Sequence, residues 1–235
     1  MKRRESEADL RRLRSSASLA GLVLLLIWAT RGVESGLGMG FGFLGIQPRQ
    51  LAGLPGIFLA PLLHADWMHT FTNSAPLFVL LTGLLYHYRK VAPTVLASIW
   101  LAGGLAVWLC ARPAFHIGAS GLNYGLASFL FLAGVLQRER SAIALALLVT
   151  FLYGSMIWGV LPADEHISWE AHLFSSLVGL SMAVWLRWRY PPPTPDRLSW
   201  EEKYAQGINE DNVWTDYEGY DPENLGDDPE RGIYR

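Results

Sequence analysis

Gly118-Ala119-Ser120-Gly121-Leu122-Asn123-Tyr124-Gly125 opens a long apolar run directly after the short polar break from Ala111 to His116. Read as a helix, this run places Ser120 in its first turn, between glycines that leave the hydroxyl uncrowded. A serine there becomes a nucleophile only with a base beside it. The histidine that suggests itself is His172, in Glu170-Ala171-His172-Leu173-Phe174-Ser175-Ser176 near the start of the last apolar run. Gly121 with Gly125, and Ser175 with Gly179, form two small-residue faces of the kind that lets membrane helices approach closely. Close approach of those two helices would bring Ser120 and His172 within reach of one another. Tyr124, one helical turn from Ser120 on the same face, is placed to stack on the imidazole and fix its orientation. Packing alone would ask for the same glycines, so the two demands coincide.

Around this stretch the composition is that of a chain built in lipid. Of the 235 residues 51% are hydrophobic, and they are gathered into runs near the roughly 20 residues that span a bilayer as a helix. The expected fold is an all-α membrane protein, a six-transmembrane-helix bundle. The formal charge of −2 averages a basic N-terminus, nearly uncharged runs and an acidic tail, and so says little about partners. One cysteine, Cys110, excludes an internal disulfide framework and any multi-cysteine metal site. No repeat, P-loop, dinucleotide fingerprint or basic nucleic-acid patch is present, so no nucleic-acid partner is expected.

In chain order, residues 1–15 form a basic N-terminus and residues 16–190 the membrane domain, with an acidic tail, expected to be disordered, over 191–235. The first span runs from Ser16 to Thr30 and on towards Gly36, with Arg31 and Glu34 near the outer interface, where long side chains reach headgroups. No small-residue cleavage pattern follows it, which argues against a signal peptide. Gly36 to Leu63 contains Pro48, Pro55 and Pro61 and several glycines, so it cannot form a regular spanning helix and is expected to lie in the interface or to dip slightly into lipid with its backbone protected by protein. The remaining spans cover Trp67 to Tyr86, Val91 to Cys110, Gly118 to Leu136, Ala142 to Val160, and a last run ending at Arg187 and Arg189. Six spans put both termini on one side. Basic residues collect on that side and only Arg31, Arg49 and Arg112 on the other, so both termini are predicted to be cytoplasmic. The loops before His69, Ser120 and His172 then all lie outside, and three polar clusters converge near the outer leaflet. Pro191 to Pro195 makes a stiff exit into the tail, where Trp200, Tyr204, Trp214, Tyr217 and Tyr220 could dock on a partner or on the membrane domain itself.

Polar groups inside a span are costly and call for a reason. His69 and Asn73 are four apart on one face of the second span, and His64 belongs to the loop entering it. Their plain reading is interhelical hydrogen bonding. Their chemical reading is an oxyanion site, with His69, the Asn73 amide and the Ser120 backbone N–H donating to the charge that develops when Ser120 attacks a carbonyl. No acidic residue within the spans offers a third member, so a Ser-His dyad is expected. A zinc site built from His64, Asp66, His69 and His166 lacks a His-Glu-x-x-His helix, and no metal or cofactor is expected. His116, Asp164, Glu165 and His166 read as solvated loop residues, with His166 near a gate.

Taken together, Gly118-Ala119-Ser120-Gly121 with Tyr124, His172 preceded by Ala171, and His64…His69…Asn73 resemble the rhomboid intramembrane serine proteases over roughly residues 15 to 190. The resemblance implies Ser120 as nucleophile and His172 as base, His69 and Asn73 as oxyanion partners, and His64, Gly118 and Tyr124 in support. It also implies cleavage of transmembrane protein substrates near their outer ends, without a cofactor, in a multi-pass protein of the lipid bilayer. The expected location is the plasma (inner) membrane of a prokaryote. Two departures stand out: Ser175 occupies a position where the family often has glycine, and the tryptophan-arginine pair of the first loop is absent, with Pro48-Arg49 in its region. A non-catalytic relative that only binds membrane helices would normally lose the serine or the histidine. A small transporter or channel would carry polar groups across the bilayer instead of on one side.

Overall fold

The computed structural model describes residues 2–138, 140–152, 158–162 and 167–189. Seven α-helices carry it: α1 (Lys2–Leu37), α2 (Gly56–Leu59), α3 (Trp67–His87), α4 (Ala92–Cys110), α5 (Ser120–Gln137), α6 (Arg140–Leu152) and α7 (Trp169–Arg189). Among the described residues there is no β-strand, and one isolated bridge joins Ile46 to His116. The fold is all-α. Asp164, Glu165, His166 and everything expected of the tail after Arg189, from the proline-rich exit to Trp200, Tyr204, Trp214, Tyr217 and Tyr220, lie outside the described residues.

α1 absorbs both the basic N-terminus and the first span in one helix of 36 residues, about 54 Å long at 1.5 Å per residue. It stops at Gly38, whose φ of +61° supplies the left-handed residue that closes a helix C-terminus, while Met39 N–H donates to Glu34 O at 3.1 Å. Arg31 and Glu34 do not extend outward as expected. Glu34 is buried, pairs with Arg31 at 3.1 Å and accepts the Phe41 N–H at 2.7 Å. A carboxylate with a guanidinium and an amide within reach is satisfied inside the protein, so neither side chain needs the headgroups.

The proline-rich connection makes no long helix. It is a chain of single turns: Gly42–Leu44, Leu51–Gly53, α2 and Ala60–Leu62. It is held to α4 by side-chain bonds to its backbone: Trp108 Nε1–H donates to Gln50 O at 2.9 Å, and Trp100 Nε1–H to Ile57 O at 3.0 Å. Arg49 Nη1 reaches back to Ala111 O at 2.7 Å. Arg49, of the Pro48-Arg49 stretch, thus shares in anchoring this connection.

α5 is the central rod, packed on α3, α4, α6 and α7, and Leu122, Leu126, Phe129 and Leu130 on it are buried with Leu77, Leu80, Leu84 and Ile99 of its neighbours. Its approach to α7 is set by glycine. A Cβ on Gly179 would collide with the Gly125 carbonyl, so the two backbones touch as the paired small faces require. Ser175 fits because the facing helices carry no side chain there: its Oγ lies 2.7 Å from where a Cβ of Gly103 would stand and 3.1 Å from that of Gly121.

Large apolar side chains such as Leu22, Leu25, Leu51, Phe151 and Trp188 face outward, as they do on a protein solvated by lipid. Among the described residues two helices, Asp9–Leu37 and Ala92–Cys110, are long and apolar enough to cross a membrane, and Leu51–Leu62 with Trp67–His87 are so only as a pair, bent by 70°. α3, α5 and α7 carry Asn73, Asn123, Glu170 and His172, which dilute their apolar character. The expected helix from Ala142 to Val160 is described only to Leu152, and Trp158–Val160 form a separate 3-10 turn. Gly159 in that turn lies so close to Tyr124 that a Cβ would strike its hydroxyl. The close approach fixes the turn.

Candidate active site

Three polar groups meet because three chain segments start their helices at one end of the bundle. Asp66 caps α3 by accepting the His69 N–H at 2.7 Å, an N-terminal cap of the ordinary kind. That cap sets His69 and Asn73 on the face turned to α5. Gly118, with φ +106°, bends the chain into α5, and its N–H donates to Ala60 O at 2.8 Å. A side chain at 118 would be strained by that φ and would also come within 2.9 Å of the His69 ring. Ser120 is then the first residue of α5, where backbone N–H groups have no partner within the helix.

His172 Nε2 lies 2.8 Å from Ser120 Oγ. The other ring nitrogen, Nδ1, lies 2.7 Å from Gly159 O. A carbonyl can only accept, so the proton sits on Nδ1 and the lone pair of Nε2 faces the serine. Tyr124 stacks on the imidazole with ring centroids 4.0 Å apart and planes at 7°. The ring is thus held by its edge and by its face.

Opposite the pair, His69 Nδ1 accepts the Ala65 N–H at 3.3 Å, which leaves Nε2 carrying a proton. Asn73 Nδ2 donates to His69 O at 2.9 Å and keeps a second N–H. His64 is buried and edge-on to His69, 4.9 Å between centroids, and its Nε2 accepts the Ala119 N–H at 3.3 Å. Burial first, and the neighbouring His69 second, pull the His64 imidazole down to about 4, so it is neutral and able to accept. His69, Asn73, Ser120, Tyr124 and His172 line one cleft of about 570 Å³.

His116 is not solvated. It is 2% exposed, lies within hydrogen-bond reach of Ser168 Oγ through Nδ1, and its Nε2 is 3.1 Å from Arg112 O. Arg112 in turn donates to Ile167 O at 2.6 Å and faces the buried Glu170 at 3.7 Å. These bonds tie the loop before Ser120 to the residues before His172, and burial lowers the His116 imidazole below its ordinary range. Two participants escaped the sequence reading. Gly159 acts through a backbone carbonyl, which leaves no side-chain signal. Asn123 lies in the apolar run that opens at Gly118, and an amide among apolar residues is its signal. Among the described residues no group of histidine, cysteine and carboxylate side chains is placed to hold a metal.

The Rhomboid domain family profile matches residues 52–189. An uncharacterized protein of Mycobacterium tuberculosis is 38% identical over 153 residues, 60% of this chain and 63% of its own length. One of Mycobacterium leprae is 35% identical over 153 residues, 60% of each chain. The chain thus spans less than two thirds of the length of these relatives. No solved structure matches it. With a profile match over more than half its length, this chain belongs to the rhomboid family, a family of intramembrane serine proteases.

Proposed function

We propose that the protein is an intramembrane serine endopeptidase that cleaves transmembrane segments of other membrane proteins through a Ser120–His172 dyad. The observation that carries this reading is the 2.8 Å approach of Ser120 Oγ to His172 Nε2, with Nδ1 engaged by Gly159 O. Ser120 Oγ attacks the scissile carbonyl as its proton passes to Nε2. The tetrahedral intermediate expels the amine, which leaves with that proton, and the acyl-enzyme is then hydrolysed by a water that His172 deprotonates. His69 Nε2–H, the free Asn73 N–H and the Ser120 backbone N–H receive the oxyanion, with the dipole of α5 in support. Gly118 makes room for His69, His64 braces Ala119, and Tyr124 orients the imidazole.

The same reading gives the chain six spans with both termini in the cytoplasm, in the plasma membrane of a prokaryote, with the membrane domain over residues 16–190. In its favour, the arginines assigned to the outer side are engaged internally: Arg31 with Glu34, Arg49 with backbone carbonyls, Arg112 with Glu170. The bacterial relatives point the same way. The test is cleavage, by the purified full chain in proteoliposomes, of a reporter with one transmembrane segment bearing small residues near its outer end. Product formed by the wild type and lost in Ser120→Ala supports the reading. An uncut reporter, or cutting that survives Ser120→Ala, overturns it.

A further inference from the structure

We infer that Asn123 is a positioning residue that fixes which end of the Asn73 amide faces Ser120. The inference rests on the peptidase reading above. Asn123 lies three residues after Ser120 on α5 and is 3% exposed, so an amide stands where its neighbours Leu122, Leu126 and Leu130 are apolar. Its Nδ2 donates to Asn73 Oδ1 at 3.3 Å and to Asn73 O at 3.2 Å.

The consequence follows from the shape of an amide. An asparagine side chain presents its oxygen or its nitrogen to a given side with nearly the same outline, and its neighbours decide which. With the nitrogen towards the cleft, Asn73 donates to an oxyanion. With the oxygen there, a lone pair meets developing negative charge. Asn123 offers N–H to Asn73 Oδ1, and a turned Asn73 would set one NH2 against another in a dry site. That conflict excludes the unproductive orientation. The Asn73 Nδ2 bond to His69 O at 2.9 Å works in the same sense and leaves one N–H for the cleft. Asn123 Oδ1 has no partner among the described residues, so the position uses the donor end of the amide and tolerates an idle acceptor.

The test is the rate at which a fluorophosphonate probe labels Ser120 in the purified full chain, because the phosphonyl oxygen needs the same donors as a substrate oxyanion. Asn123→Ala and Asn123→Leu both remove the donor but differ in volume, so both are expected to slow labelling by about ten-fold, against about a hundred-fold for Asn73→Ala. A packing role predicts different losses for the two. The double variant Asn73→Ala/Asn123→Ala is expected to label at the rate of Asn73→Ala alone, since Asn123 acts only through Asn73. Wild-type labelling rates in the Asn123 variants, or losses that multiply in the double variant, overturn the inference. If the leucine variant fails to fold, the alanine variant and the double variant decide. A wild-type protein that takes no label at Ser120 overturns the peptidase reading itself and the role of Asn123 with it.

Discussion

At the scale of single residues, the candidate site rests on groups whose neighbours settle which atom they present to the cleft. Asn73 keeps one N–H towards the cleft, and Asn73→Ala is expected to lower kcat by about a hundred- to a thousand-fold with little change in KM, as measured on the transmembrane reporter. An unchanged kcat would remove Asn73 from the proposed oxyanion site. His64 sits in the turn outside the spans, held neutral by burial, with its imidazole down from 6.5 to about 4. The unfolded chain takes up the proton first on acidification, so stability is full above about pH 6.5 and is lost as pH falls towards about 4, by on the order of 3 kcal/mol. Thermal unfolding in detergent at about pH 7.5 and about pH 5 checks this: the midpoint falls on acidification, and falls less in His64→Asn. Ser120, His172, Tyr124 and His69 were legible because each announces itself as a polar or aromatic side chain at helical spacing. Gly159 was not, because its contribution is a carbonyl that every residue possesses. His116 was misread as solvated because a loop position gives no hint of the Ser168 and Arg112 partners that bury it.

At the scale of elements, the proposed dyad depends on how closely α5 and α7 approach. Gly125 and Gly179 bring the backbones into contact, and a side chain on Gly179 meets the Gly125 carbonyl. Gly179→Val is expected to destabilise the protein by about 1–3 kcal/mol and to abolish fluorophosphonate labelling by separating Ser120 from His172. Retained labelling at a lowered melting temperature would show that the dyad does not need this contact. The helix pair was readable from its two small faces. The single turns between Gly42 and Leu62 were not, because prolines and glycines announce a break but not the path taken. That path is decided by Trp100, Trp108 and Arg49 bonding to distant backbone. The first helix ran past its expected start because nothing in the basic segment, neither proline nor glycine, stops it.

At the scale of the whole molecule, the orientation in the bilayer is testable with the one cysteine the chain owns. Cys110 ends α4 and is exposed. With both termini cytoplasmic it lies on the outer side, so a membrane-impermeant maleimide added to spheroplasts is expected to label it without lysis. Labelling only after lysis would invert the topology. The outer face is then where the cleft opens, and substrate helices would present their outer ends to it. The most direct measurement of the central claim is mass mapping of the fluorophosphonate adduct on the purified protein. A serine peptidase of this geometry carries the adduct on Ser120, and loses it in Ser120→Ala and in His172→Ala. An adduct elsewhere, or one that persists in either variant, contradicts the dyad.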